Sequence, residues 1–149
     1  MKTITVSAAV IIRTASDGTK EVFATQRGYG EYKDWWEFPG GKLEEGESPE
    51  VCITREIKEE LATEVKAEKV LGTIEYDYPA FHLTMHCILC SIVSGKLELL
   101  EHENSRWLTK ETLKSVNWLP ADELILDKIA MILCSKNLVG NLQDLPVSC

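Results

Sequence analysis

The stretch from Ser48 to Leu61 constrains this chain more than any other. Ser48 before Pro49 is an N-cap residue followed by proline at the first helical position. Ile53, Ile57 and Leu61 then recur at i, i+4 and i+8, so the spacing predicts a helix from Pro49 to about Leu61 with that stripe buried. Glu56, Glu59 and Glu60 stand at i, i+3 and i+4. At about 100° per residue they share an arc of roughly 100°, adjacent to the apolar stripe. Such a helix must lie on a core with one face and crowd carboxylates on the next. Lys58 points elsewhere and cannot neutralise the crowding. A face of this kind is either a solvated, Glu-rich surface or a site for hard divalent cations, which take carboxylate oxygens and bring substrate phosphates with them.

The flanking segments are strand-like. Thr3–Arg13 is rich in Ile and Val, Asp17-Gly18 marks a hairpin turn, and Glu21–Gln26 is the returning strand. Gly28–Trp35 is a polar, aromatic loop, and Gly40-Gly41 follows Pro39. Val70–Tyr78 and Leu83–Val93 read as two further strands, and Lys96–Leu100 as a short one. Thr109 is placed to cap a short helix to about Val116, and Pro120 to open a last helix over roughly Ala121–Ser135. The tail from Lys136 has no clear period. There is no internal repeat and no linker, and the order of elements is mixed, of the α+β class.

Composition narrows the partners. The 149 residues carry 16 Lys and Arg against 24 Asp and Glu, a net charge of −8. The length suits one domain, and 44% hydrophobic content excludes a disordered or collagen-like chain. No apolar run reaches the roughly 18 residues of a membrane span, and Met1-Lys2-Thr3-Ile4 leads directly into a strand without a signal-peptide pattern. A cytoplasmic protein is the expectation. The acidic balance argues against a duplex nucleic-acid partner, and a triphosphate meeting this surface needs cations in between. Cys52, Cys87, Cys90, Cys134 and Cys149 are odd in number and scattered, which reads as free thiols in a reducing compartment. Cys87 and Cys90 form a CxxC near His82 and His86. On a strand, residues three apart face opposite ways, so these thiols read as core rather than as zinc ligands.

Upstream of the acidic helix, Gly40-Gly41 permits close backbone approach, and Arg55 can pair with the loop acid Glu47. Gly41, five residues, Glu47, seven residues, then Arg55-Glu56-Ile57-Lys58-Glu59-Glu60 resembles the Nudix box. The flanking Trp36-Glu37-Phe38-Pro39-Gly40-Gly41-Lys42 resembles the MutT-type branch of that family, and Asp122, at the start of the last helix, is similar to its CTP pyrophosphohydrolase-like members. Two positions depart from the box: Ala62 stands where its final glycine does, and Thr63 replaces its last apolar residue. Glycine there ends the helix in a left-handed conformation, so either Ala62 adopts that conformation at a cost or the helix runs on.

The resemblance implies an α/β/α sandwich with a mixed β-sheet between helices, as a single domain over 1–149. It implies hydrolysis of (deoxy)nucleoside triphosphates to monophosphate and pyrophosphate by metal-activated water. Mg²⁺ is the expected cofactor, with Mn²⁺ as a substitute, and the protein is expected to be a monomer or homodimer. Glu56, Glu59, Glu60, the Gly40 carbonyl and Glu101 are the implied metal ligands. Glu56 or Glu101 is the implied base, and Arg55 and Glu47 complete the catalytic set. Arg27 and Lys42 are either phosphate contacts or surface cations, and Glu37 belongs with the nucleotide-binding group. Tyr78 and Phe81 are either a stacking platform or core. Asp122 either reads the base or is a first-turn acid; an ionised Asp only accepts hydrogen bonds, which suits the amino group of cytosine. Cytidine nucleotides or modified deoxynucleotides are therefore the preferred substrates, with oxidised dGTP as the alternative. A non-catalytic nucleotide-binding regulator on the same fold is the alternative of another class.

Overall fold

The computed structural model describes residues 1–134. β1 (Lys2–Thr14) is the central strand. Along one edge it runs parallel to β6 (Phe81–Ser94), from Lys2 opposite Phe81 to Ile11 opposite Cys90. Along its other edge it changes partner. Val6–Ala8 pair antiparallel with β4 (Gly40–Lys42), and Ile12–Thr14 with β2 (Lys20–Gln26). β2 in turn carries β3 (Trp36–Glu37) and β7 (Asn104–Leu108), while β5 (Glu64–Asp77) closes the far side of β6. The sheet is thus mixed, with the order β3-β2-β1-β6-β5.

Alternation along β1 and β6 sends successive side chains to two separate cores. Ala9, Ile11, Ile88 and Cys90 meet Ile53, Ile57 and Leu61 of α1 (Pro49–Leu61) on one face. Ala8, Val10, Cys87 and Leu89 meet Ile125, Leu126, Ile129 and Leu133 on the other. These last residues come from the segment of α2 (Pro120–Glu123) and α3 (Leu126–Cys134). Cys87 and Cys90 therefore lie in opposite cores, as the strand period requires, and burial pushes both thiols up to about 12. Cys52, Cys87 and Cys90 are free thiols. Cys134 is disulfide-bonded, which departs from the expected five free thiols.

Helix α1 begins and ends as its sequence directs. The Ser48 hydroxyl accepts from the Val51 N–H at 3.1 Å, and Pro49 follows it. At the other end Ala62 takes a left-handed conformation (φ 49°, ψ 39°) and donates its N–H to the Lys58 carbonyl. Thr63 is buried. Its hydroxyl donates to the Leu61 carbonyl at 2.9 Å and accepts from the Leu97 N–H at 2.8 Å, so the polar residue in an apolar position is satisfied.

Four expectations need correction. Lys96–Leu100 is not a strand. Its backbone instead donates from Glu98 to the Leu61 carbonyl and from Leu100 to the Glu60 carbonyl, filling acceptors at the C-terminal end of α1. The segment after Thr109 is a run of turns: the Thr112 hydroxyl takes the Thr109 N–H, and such local bonds compete with helix. The last helix is broken into α2 and α3, because Leu124 and Ile125 bond three residues back, to Ala121 and Asp122. β5 starts at Glu64 rather than Val70, with irregular register at three points. Ser135 and the tail from Lys136 lie outside the described residues.

Candidate active site

A cavity of about 420 Å³ opens where β4, the start of β6, the loop before β7 and α2 converge. Its floor is apolar, formed by Ile4, Val6, Leu83 and Met85 of the parallel β1–β6 pair. Its rim is charged. Arg27, Glu37, Lys42, Glu60, Glu101 and Asp122 all line it.

The glycines set how closely the helix approaches this cavity. A Cβ on Gly40 would stand 1.9 Å from the Ser7 carbonyl oxygen of β1, and one on Gly41 would stand 2.3 Å from the Glu56 carboxyl carbon. The Gly40 position admits no side chain because the clash is with backbone, so the strand can lie directly on β1; a side chain at Gly41 would displace the Glu56 carboxylate that now rests on the strand. Cys52, the thiol one turn before Glu56, sits fully buried beneath the same strand, 3.6 and 3.5 Å from the Gly41 and Lys42 carbonyls. Its small size is what that approach requires.

Arg55 organises the outer half of the acidic face. Its Nε lies 2.6 Å from one Glu47 oxygen and a terminal nitrogen 2.9 Å from the other. The same guanidinium reaches Glu56 at 2.9 Å, Glu59 at 3.2 Å and the Lys42 carbonyl at 3.2 Å. These bonds hold Glu47 well below the usual carboxylate range, at about 2. They also draw Glu56 and Glu59 away from the cavity. Glu59 is exposed and lies outside the cavity lining. Among the described residues, no three His, Cys, Asp or Glu side chains already converge as a metal cage.

Glu60 is the inner member. Its Oε2 is buried without a hydrogen-bond partner. Burial pushes its carboxyl up to about 9, and the nearby charges of Glu56, Glu101 and Glu37 push the same way. A buried carboxylate oxygen without a partner, near three other carboxylates, is costly for a fold. The donor set is nevertheless all-oxygen, beside a glycine strand that allows close approach, which is the chemistry a hard divalent cation takes.

At the opposite end of the cavity, Asp122 is buried and its Oδ2 accepts the Phe38 N–H at 2.9 Å. Burial, then the neighbouring Glu37 charge, raises its carboxyl to about 8, so near neutrality it carries a proton and can donate as well as accept. This changes the sequence expectation of an acceptor-only group. Tyr78 belongs to the core and also lines the cavity: its ring stacks on Phe81 at 5.1 Å, its hydroxyl accepts the Ala121 N–H at 3.1 Å, and burial raises that hydroxyl to about 12. Phe81, half-buried, presents the outer ring of the stack to the cavity. Arg27 bonds Glu37 at 3.2 Å. Sequence reasoning passed over Tyr29, Tyr32 and His102 as lining residues. The Gly28-Tyr29-Gly30 run was the available signal for the first of these, and adjacency to Glu101 for the last.

Comparison with known proteins agrees with this architecture. The NUDIX domain family model matches residues 3–133. An 8-oxo-dGTP diphosphatase of Proteus vulgaris is 38% identical over 90 residues, which cover 60% of this chain and 79% of that protein. A CTP pyrophosphohydrolase of Escherichia coli is 30% identical over 127 residues, covering 85% and 91%. The solution structure of the E. coli ORF135 protein superposes with a TM-score of 0.73 at 27% identity, covering 89% of this chain and 91% of that one. With the box residues, the mixed sheet and the family model in agreement, this chain belongs to the Nudix hydrolase family.

Proposed function

We propose that this chain hydrolyses nucleoside triphosphates to the monophosphate and pyrophosphate with Mg²⁺, preferring cytidine nucleotides or modified deoxynucleotides, and so cleans a nucleotide pool. The observation that carries the reading is the partnerless, buried Glu60 oxygen in one cavity with Glu101 and Glu37, under the added charge of nearby Glu56. Glu56, Glu59, Glu60, Glu101 and the Gly40 carbonyl would hold the cation. A divalent cation bound there neutralises phosphate charge and makes a water more acidic. Arg27 and Lys42 contact phosphates, and Arg55 with Glu47 fixes the helix that carries the acids. Glu56 or Glu101 takes the proton of the attacking water. The Phe81 ring, backed by Tyr78, flanks the base, while Glu37 and Asp122 meet its polar edge.

A second reading, oxidised dGTP as substrate, is favoured by the protonated Asp122, which can donate to a carbonyl. The names of relatives such as the Proteus vulgaris protein point the same way. A panel of nucleoside triphosphates, methylated and oxidised forms included, assayed for pyrophosphate release with Mg²⁺ tests both. Release from cytidine forms supports the first reading, and preferential release from oxidised dGTP the second. Binding without release from any member leaves only a regulator on this fold and overturns both.

A further inference from the structure

His102 follows the proposed ligand Glu101, and nothing in the sequence motif assigns it a role. Its side chain is 8% exposed. Its Nε2 lies 3.5 Å from Glu37 Oε2, while Arg27 holds the other oxygen, Oε1, at 3.2 Å. Glu37 thus has a nitrogen beside each oxygen: Arg27 donates a hydrogen bond to one, and the imidazole stands in contact range of the other. The other imidazole nitrogen, Nδ1, is buried with no partner. A ring placed only for packing would not carry that penalty, because an apolar side chain would fill the same space without it.

The backbone around His102 is held firmly. Glu103 donates its N–H to the Gln26 carbonyl at 3.1 Å. Gly28 lies so near that an added Cβ would stand 3.5 Å from the Glu101 carbonyl oxygen and 3.4 Å from the Glu103 nitrogen. The Glu101–Glu103 turn is therefore fixed to the end of β2; Glu101 and His102 both line the cavity, and His102 approaches Glu37.

We infer that His102 is a positioning residue for base selection: it acts through Glu37, clamping the carboxylate opposite Arg27 so that one rotamer meets the base. This rests on the proposed placement of a nucleotide base beside Glu37. The clamp also explains why a histidine, with a donor on Nε2, stands where packing alone would favour a hydrocarbon. In the tautomer with its proton on Nε2, the ring can donate across the 3.5 Å contact to Glu37 and leaves Nδ1 as an acceptor. The role requires the Nε2 donor and not a change of ring charge.

The test is the equilibrium affinity of CMP and GMP for the full chain in EDTA, which needs neither metal nor turnover. The wild type is compared with His102→Leu, His102→Gln, Glu37→Gln and the double variant Glu37→Gln/His102→Leu. The expected result is a CMP-to-GMP affinity ratio that moves toward unity by about tenfold in His102→Leu. His102→Gln, which keeps an amide donor, restores most of the ratio. The double variant is no less selective than Glu37→Gln alone. His102→Leu melts at the wild-type temperature or higher, because the orphaned nitrogen is gone. A wild-type ratio in His102→Leu while Glu37→Gln loses it overturns the inference and leaves the placement of the base intact. A wild-type ratio in Glu37→Gln overturns that placement and the inference with it. Absence of pyrophosphate release in the panel above, with the ratio behaving as described, overturns the hydrolytic reading alone.

Discussion

Arg55 and Glu47 meet through two parallel contacts, 2.6 and 2.9 Å, with the guanidinium fork matched to both carboxylate oxygens. The pair joins the glycine strand to the acidic helix, since the same guanidinium bonds the Lys42 carbonyl. Lysine cannot reproduce a two-point contact. Arg55→Lys is therefore expected to lower kcat for pyrophosphate release by about tenfold or more, with its circular dichroism spectrum unchanged. Glu47 is held low by Arg55, at about 2, well below the ordinary range of a glutamate. Its contribution to stability is full above that ordinary, unfolded range and is lost as pH falls toward 2. Thermal melts of wild type and Glu47→Gln should converge over that interval.

Glu60 opposes stability and function. Neutralising it removes a buried group that burial and three carboxylates disfavour in its charged form. Glu60→Gln is expected to melt a few degrees higher than the wild type without metal, and to lose at least about a hundredfold in Mg²⁺-dependent turnover. Mg²⁺ should raise the melting temperature of the wild type and leave that of the variant nearly unchanged. Glu59→Gln is likewise expected to abolish turnover with the fold intact. Unchanged turnover in either variant would refute its ligand assignment.

Ala62 marks a place where the chain can be improved. A non-glycine residue at φ 49° is strained. Ala62→Gly is expected to stabilise by roughly 0.5–1 kcal/mol, or about 2–4 °C in Tm, without altering kcat. Differential scanning calorimetry reads this directly.

Asp122 yields a pH-dependent prediction. Its folded-state value, about 8, lies far above that of an ordinary aspartate. The stabilisation from proton uptake is full below the unfolded value and is lost as pH rises through the folded one. Relative to Asp122→Asn, the wild type should lose melting temperature steadily from about pH 4 to pH 8. In the substrate panel, Asp122→Asn, which like the protonated carboxyl both donates and accepts, should keep the wild-type base preference, and Asp122→Leu should lose it. An unchanged preference in Asp122→Leu would show that this carboxyl does not read the base.

The amphipathic helix and the long strands were legible because period and caps are local: Ser48-Pro49, the Ile53–Ile57–Leu61 stripe and the apolar runs state their own geometry. Where tertiary bonding decides, the sequence misleads. Lys96–Leu100 has strand-like composition, but its N–H groups are needed at the end of α1. The helix expected over Ala121–Ser135 breaks just after the residue that must reach the Phe38 N–H, and no local signal announces that partner 84 positions away. The acidic spacing placed Glu56, Glu59 and Glu60 on one face, yet it could not show that only Glu60 turns inward. That depends on Arg55 holding the other two. Nor could it show that Asp122 would be buried deeply enough to keep its proton.

The Leu100 N–H that bonds the Glu60 carbonyl is more than a helix ending. It sets the chain distance from the helix acids to Glu101 at a single peptide unit, so the segment from Gly95 to Leu100 acts as a ruler for the cavity's remote acid. Adding or deleting one residue after Leu97, which packs on the core beneath α1, would shift Glu101 along the rim while leaving that packing in place. Changes in that surface stretch are therefore a route by which related sequences can retune this pocket without disturbing their box.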